Sequence, residues 1–283
     1  MGLVCYLTGQ TTKNYDLMQD RIKLTIKDDI AFVTLNRPEK LNALDMAMFN
    51  ALDKCQKSLR KNRTIRAVIL QGAEHNFCSG LDVKSVALNP LNAFKLLFKW
   101  LPGNANLAQR VSVGWQKLPV PVFAVVEGVC YGGGTQIAIG ADFVIAHPDS
   151  EFSIMEGKWG IIPDMGGSLV FKHLNQAQAK WHIFSADIIP APKAHDMGLI
   201  YEVSEQPEQT ALALIEQLKE MNPDAIAANK KLIRKGWTGS SRKSLWLESY
   251  YQTFVLFGKN QTVKSHNQRK PDQKKPYKPR QNW

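Results

Sequence analysis

The sequence predicts an α/β fold with a helical C-terminal region, and three observations support this prediction. Between residues 22 and 205, short β-branched runs alternate with segments whose apolar residues recur at helical spacing. Two of the predicted strands lead directly into glycine-rich turns. From residue 208 to residue 258 the apolar spacing is helical throughout. With 283 residues, 44% of them hydrophobic, the chain is long enough to bury a substantial core.

The first predicted elements are a hairpin and a helix. Two β-branched runs, residues 22–26 and 30–35, flank the polar turn Lys27-Asp28-Asp29. Apolar residues at helical spacing predict a helix from Ala43 to Leu59. Further strands are predicted at residues 66–71, 119–126, 143–146 and 152–155, and further helices at residues 135–140, 211–221, 223–235 and 244–257.

These elements divide the chain into four segments. Residues 1–20 lack periodicity and form a predicted leader, residues 21–205 form the α/β core, and residues 206–260 form the helical region. Residues 261–283 are rich in Lys, Gln, Asn and Pro, which favours an extended or disordered basic tail. From Lys259 onward, eight Lys or Arg residues oppose one acid, so this part carries +7 of the net charge of +11.

The composition argues against several classes of protein. No apolar run approaches the roughly 18–20 residues that span a bilayer, and the N-terminal residues do not have the pattern of a secretory signal. The four cysteines are widely spaced, without a CxxC or Cys/His cluster, which predicts neither a disulfide framework nor a zinc site. We therefore expect a cytoplasmic protein without a membrane span, a metal or a redox cofactor.

Two glycine-rich segments form the predicted functional site. Asn76–Lys84 follows the strand at 66–71, and Gly128–Ala138 follows the strand at 119–126. Glycine lets backbone amides approach a ligand closely, and the first amides of a helix have no partner within the helix. Two such amides that converge on one oxygen would form an oxyanion hole. Either segment alone could equally be a tight turn.

The residues of these segments resemble those of the crotonase (enoyl-CoA hydratase/isomerase) superfamily. Phe77-Cys-Ser-Gly-Leu-Asp82 is similar to the first oxyanion segment of that family, and Gly132-Gly-Gly-Thr-Gln-Ile-Ala138 is similar to the second. Asn36-Arg-Pro with Leu41-Asn-Ala-Leu resembles its N-terminal signature, and Gly160-Ile-Ile-Pro-Asp-Met-Gly-Gly167 continues the match over roughly residues 21–270. The resemblance implies a ββα spiral core, a C-terminal helical trimerisation region, homotrimers or hexamers, and acyl-CoA thioester substrates.

The resemblance also implies roles for individual residues. The amides of Leu81 and Gly133 would hold the thioester oxygen, and so stabilise the enolate that forms when a C2 proton leaves. Gly80, Asp82, Gly132 and Gln136 belong to the same segments and would contact the substrate. Trp159 lies in the active-site segment and would wall the acyl pocket.

The acid and base residues depart from the hydratase pattern. Hydratases of the family use two glutamates, and the first of these positions is Gln136 here, whose amide cannot exchange protons as a carboxylate does. The second position, Glu156, is retained. Eight residues later, Asp164 resembles a catalytic aspartate of the dienoyl-CoA isomerase branch, which takes the C2 proton while the glutamate returns one farther along the chain. We therefore assign Glu156 and Asp164 as the catalytic pair.

Plainer interpretations remain open for these residues. Asp164 could cap the following helix, Glu156 could be a surface acid at a strand end, and Asp82 could brace a turn. The resemblance and these carboxyls favour an enzyme that isomerises double bonds of (di)enoyl-CoA in fatty-acid catabolism. Three other functions stay as alternatives: an enoyl-CoA hydratase, a catalytically weak CoA-binding scaffold, and an RNA-binding protein. We do not expect nucleic acid as the partner, because the tail has few aromatic residues for base stacking.

Overall fold

The computed structural model describes residues 13–14, 20–87, 89–237 and 239–283, so most of the predicted leader lies outside the described residues. The α/β core and the helical C-terminal region are both confirmed. The strands are β1 Lys13–Asn14, β2 Ile22–Lys27, β3 Ile30–Leu35, β4 Ala67–Gly72, β5 Val122–Val126, β6 Val129–Tyr131, β7 Phe143–Ala146, β8 Glu151–Ser153, β9 Ile189–Pro190 and β10 Glu202–Val203.

Most of the helices follow the β4 strand. They are α1 Met46–Lys61, α2 Val83–Ala87, α3 Pro90–Leu97, α4 Leu107–Val113, α5 Gly133–Ala138, α6 Gly167–Val170, α7 Gln176–Ser185, α8 Ala191–Asp196, α9 Pro207–Lys219, α10 Pro223–Gly236, α11 Ser241–Leu256 and α12 Lys259–Arg269. In the part of the chain that the structure describes, none of these helices combines the length and the apolar character needed to cross a membrane.

The strands form two sheets. The larger has the order β1-β2-β3-β4-β5-β7-β10, with antiparallel pairing as far as β3 and parallel pairing beyond it. The smaller has the order β6-β8-β9. The predicted hairpin joins β2 to β3, and Lys27 pairs with Ile30. Asp28 and Asp29 have φ angles of 51° and 63°, the left-handed conformation that a tight two-residue hairpin turn requires.

The two faces of the larger sheet bury different helices. Val33, Leu70 and neighbouring residues face the main core, which includes the apolar stripe of α1. The residues that alternate with them, such as Ile69 and Phe123, pack against Ala211 of α9. Because successive side chains of a strand point to opposite faces, this sheet buries both faces and needs a near-continuous apolar sequence. Two neighbouring parallel strands, β4 and β5, end shortly before the two glycine-rich segments.

The prediction of an extended basic tail is wrong for the first part of that segment. Residues 259–269 form α12, and the later residues fold back onto the core. Arg280 is 2% exposed and donates hydrogen bonds to the carbonyl oxygens of Asn62, Ile65 and Pro119. The composition of the segment predicted disorder because composition carries no information about hydrogen-bond acceptors that lie far away in the sequence.

Asp224, near the start of α10, fixes the last described residues. Its carboxylate accepts hydrogen bonds from the Asn260 side chain at 2.8 Å, the Gln281 amide at 2.8 Å and the Trp283 indole at 3.0 Å. Asp224 is 1% exposed, and three donors compensate the burial of its charge. The segment from Lys274 to Trp283, which we call the C-terminal strap, therefore connects α10 to the core.

Candidate active site

The two glycine-rich segments meet beside α5. Leu44 pairs with Leu81, and Cys78 pairs with Cys130, in isolated parallel bridges. Gly80 has a φ of +93°, and a Cβ there would lie 2.9 Å from the carbonyl oxygen of Tyr131 and 3.7 Å from the amide nitrogen of Gly133. Only glycine permits both this backbone conformation and this close approach. The first segment is thereby held against the start of the second.

The amides of Leu81 and Gly133 have no hydrogen-bond acceptor among the described residues. The neighbouring backbone groups are hydrogen-bonded. The Leu44 N–H donates to the Gly80 carbonyl oxygen at 2.8 Å, and the Asp82 N–H donates to the Leu44 carbonyl oxygen at 3.0 Å. Gly133 is the first residue of α5, where the amide has no partner within the helix. Leu81 directly follows Gly80, which packs against Gly133, so the two unpaired amides lie in one part of the structure, and their role as an oxyanion hole stays a prediction.

Packing around Gly133 is tight. A Cβ at this position would lie 2.8 Å from Met165 Sδ and 3.0 Å from Leu44 Cδ1. Both of those side chains are buried, at 5% and 0% exposed respectively. The segment that carries Asp164 thus lies directly against the start of α5, because Met165 is its next residue.

Glu156 is buried beside the same turn, which rules out the alternative of a surface acid. It is 8% exposed, and a Cβ on Gly132 would lie 3.3 Å from its Oε1. Oε1 accepts a hydrogen bond of 2.7 Å from Gln136 Nε2, whereas Oε2 is buried with no partner among the described residues. Burial raises the pKa of Glu156, and the negative charge of Asp164 raises it further.

Asp164 does not cap the following helix. That helix, α6, begins at Gly167, and its N-cap residue is Gly166, with no side-chain hydrogen bond to the first turn. Burial raises the pKa of Asp164 above its ordinary value, and its charge acts on Glu156. Glu156 and the segment of Asp164 thus both lie beside the start of α5, and burial raises the pKa values of both carboxyls.

Asp82 braces the first segment, as the plainer interpretation held. Its Oδ2 accepts from Arg37 Nη2 at 2.8 Å, and its Oδ1 accepts from the Ser85 amide at 3.1 Å in the first turn of α2. The Ser85 amide and then the Arg37 guanidinium lower the pKa of Asp82. Because both oxygens have protein partners, the structure does not support substrate binding by this carboxylate.

Trp159 is exposed to solvent within one chain, and its role as a wall of the acyl pocket stays a prediction. It ends the short 3₁₀ turn Met155–Trp159, and its side chain is 63% exposed. Ile162, in the loop between Trp159 and Asp164, is 74% exposed. The segment between the two carboxyls therefore presents apolar side chains to the solvent.

Sequence reasoning missed how the N-terminal signature supports this site. Asn42 is fully buried with a φ of 56°, and its amide donates to the carbonyl oxygens of Ala73 and Asn76. Its Oδ1 accepts from the Arg37 amide at 2.8 Å. An asparagine that follows a polar turn could have indicated this role, because Asn tolerates the left-handed conformation and bonds to nearby backbone. Within the described residues, no group of three or more His, Cys, Asp or Glu side chains could hold a metal.

Comparison with solved structures assigns the class of fold. The crystal structure of an enoyl-CoA hydratase from Bacillus anthracis aligns with a TM-score of 0.82 at 24% identity, and the alignment covers 92% of this chain and 99% of that chain. The fold is therefore that of the crotonases, as the sequence predicted.

Sequence comparison then gives the family. The family model described as "Enoyl-CoA hydratase/isomerase" matches residues 25–275, and the chain is an enzyme that belongs to this family. A 1,2-epoxyphenylacetyl-CoA isomerase of Escherichia coli is 31% identical over 83% of this chain and 90% of its own length. A short-chain-enoyl-CoA hydratase of Clostridium acetobutylicum is also 31% identical, over 78% of this chain and 83% of its own length.

Proposed function

We propose that the protein isomerises double bonds in enoyl-CoA or dienoyl-CoA thioesters of fatty-acid catabolism. Relatives of equal identity include an isomerase and a hydratase, so the chemistry of the site must distinguish the two reactions. The observation that carries the proposal is that Glu156 and the segment of Asp164 both pack against the start of α5, beside the unpaired amides of Leu81 and Gly133. CoA enters as part of the substrate, and the reaction requires no other cofactor.

The proposed mechanism removes a proton at C2, passes through an enolate and adds a proton from a second carboxyl at another carbon. The two amides bind the thioester oxygen and stabilise the negative charge that develops on it. Asp164, in its ionised form, takes the C2 proton, and Glu156, in its protonated form, gives a proton farther along the conjugated chain; exchange with water after product release restores both protonation states. Burial raises the pKa of each carboxyl toward neutral pH, where groups that donate and accept protons work best.

Gln136 favours isomerisation over hydration. Hydration of the two-carboxylate type needs a second acid where this chain has an amide that is already bonded to Glu156. The runner-up remains an enoyl-CoA hydratase, because Glu156 Oε2 has no partner among the described residues and could activate a water molecule.

Isotope exchange distinguishes the two reactions. The protein is incubated in deuterated water with 2-enoyl-, 3-enoyl- and dienoyl-CoA thioesters, and the products are examined by mass spectrometry. We expect a shifted double bond, deuterium in the product and no net addition of water. Glu156→Gln and Asp164→Asn should each lower the rate by roughly 10²–10⁴-fold, the usual contribution of a general acid or base.

Asp149→Asn supplies the matched control, because the Asp149 side chain is 92% exposed and its loss should leave the rate unchanged. Net water addition, or an Asp164→Asn enzyme as fast as the wild type, would refute the isomerase assignment.

We further propose that the enzyme assembles as a homotrimer or a dimer of trimers. The support is a set of exposed apolar side chains on the segment between the two carboxyls and on α7. Ile162, Trp181 and Phe184 are 74%, 64% and 77% exposed, and Trp159 lies in the same part of the chain. Exposed apolar surface of this kind is typical of an interface, and a second copy would shield both the side chains and the active-site segment from water.

A further inference from the structure

We propose that Gln136 is a positioning residue that fixes one oxygen of Glu156, so that Oε2 alone carries the proton in the reaction. This inference rests on the proposed function, because it gives the acid of that mechanism a defined proton-transferring atom. It concerns the position at which this chain departs from the two-glutamate pattern.

The backbone of Gln136 is fixed on both sides. Its backbone N–H donates to the carbonyl oxygen of Gly132, the N-cap residue of α5, at 3.1 Å. Its backbone carbonyl oxygen accepts from the Ser112 hydroxyl of α4. The side chain is fully buried, and Nε2 donates to Glu156 Oε1 at 2.7 Å. The amide of Gln136 is therefore held against one side of the carboxyl.

The hydrogen bond from Gln136 Nε2 can form in both protonation states of Glu156. When Glu156 is ionised, the amide donates to a charged oxygen, and such hydrogen bonds are stronger than neutral ones. When Glu156 is protonated on Oε2, Oε1 is a carbonyl oxygen and still accepts from the amide. The donor at Oε1 disfavours a proton there, so the proton resides on Oε2, which has no other partner among the described residues.

Among the described residues, one charged side chain affects the pKa of Glu156. Asp164 is the charged group whose field acts on it, and it raises the pKa of Glu156 after the larger effect of burial. On α7, which packs against the 3₁₀ turn of Glu156, the buried His182 is bonded to Asp187. Two hydrogen bonds lower the pKa of Glu156 and oppose both effects, one from its own backbone amide and one from the Gln136 side chain. A second carboxylate at position 136 would instead add another negative charge.

The experiment measures the titration of Glu156 in Gln136→Met, which keeps the size of the side chain and removes the donor. Enzyme labelled with ¹³C at the glutamate carboxyl is titrated by NMR without substrate, and the Glu156 signal is assigned from its absence in Glu156→Gln. The pH dependence of kcat/KM is measured in parallel. We expect the Glu156 titration and the alkaline limb of the rate profile to move up by about 1–2 pH units, the equivalent of a hydrogen bond to a charged group.

A matched control separates positioning from general damage. Gln56 is also a buried glutamine, and its Nε2 donates to the Val111 carbonyl at 3.0 Å, away from Glu156. Gln56→Met should lower stability without moving the titration. If Gln136→Met does not fold, Gln136→Asn withdraws the amide by one methylene and should shift the titration in the same direction.

The outcomes test the two proposals separately. An unchanged Glu156 titration in a folded Gln136 variant would overturn the positioning role, whatever the activity. If the wild-type enzyme isomerises none of the thioesters, the proposed function fails, and the NMR titration still decides whether Gln136 controls Glu156.

Discussion

Replacing Arg280 by methionine should destabilise the protein by about 2–5 kcal/mol, because the guanidinium of this residue fixes the C-terminal strap. Arg280 is 2% exposed, and it donates to Asn62 O at 2.6 Å, Ile65 O at 3.3 Å and Pro119 O at 3.4 Å. Methionine keeps much of the apolar stem but has no donor for these three carbonyl groups.

The magnitude follows from two opposing effects. Burial lowers the pKa of Arg280 from 12.5 to about 10, so holding the charge inside the fold costs about 3 kcal/mol. Three hydrogen bonds from a charged group stabilise the fold by about 1.5–3 kcal/mol each, which gives roughly 5–9 kcal/mol. The difference is about 2–6 kcal/mol. In the variant, water molecules that enter and bond to the three carbonyl groups reduce the loss of stability, so we expect about 2–5 kcal/mol.

Equilibrium unfolding in urea, followed by tryptophan fluorescence at fixed protein concentration, measures this effect as a lower transition midpoint. Arg269→Met is the matched control, because Arg269 is exposed at the end of α12 and its replacement should change stability by less than about 0.5 kcal/mol. If Arg280→Met is as stable as Arg269→Met, the strap does not stabilise the core and our reasoning fails.

Two further predictions concern the catalytic carboxyls and the assembly. The folded-state pKa of Glu156 lies above its unfolded value, so the wild type loses stability as the pH rises from the ordinary glutamate value through the raised one. Glu156→Gln should therefore have a larger free energy of unfolding than the wild type at pH 8, and this difference should vanish below about pH 4. Urea unfolding at pH 8 and below pH 4 measures it. An equal difference at the two pH values would contradict the pKa argument. Light scattering should give the mass of three or six chains, and Phe184→Glu should lower it, whereas a monomeric wild type would refute the assembly.

The sequence predicted the parts of the fold that depend on local pattern. The hairpin at Asp28 and Asp29 and the amphipathic α1 follow from turn chemistry and apolar spacing alone. The meeting of the two glycine-rich segments was also predictable, because neighbouring parallel strands deliver their ends to the same edge of a sheet. The resemblance to the crotonases supplied the roles that local pattern could not.

The remaining features depend on long-range packing. Whether Asp164 caps a helix depends on where α6 begins, and the structure starts that helix three residues after Asp164. The tail has the composition of a disordered segment, yet Arg280 bonds to carbonyl groups that lie 161 to 218 residues away. The exposure of Trp159 likewise follows from tertiary packing, which a position beside Glu156 in the sequence does not specify.

The position of the C-terminal strap has a consequence for the order of folding. The Arg280–Asn62 hydrogen bond closes a loop of 218 residues, so most of the sheet can pair before this contact is made. Contacts that form after the folding transition state slow unfolding without speeding folding. The strap should therefore determine how long the native state persists, whereas the rate at which that state forms should depend on β2, β3 and their local neighbours.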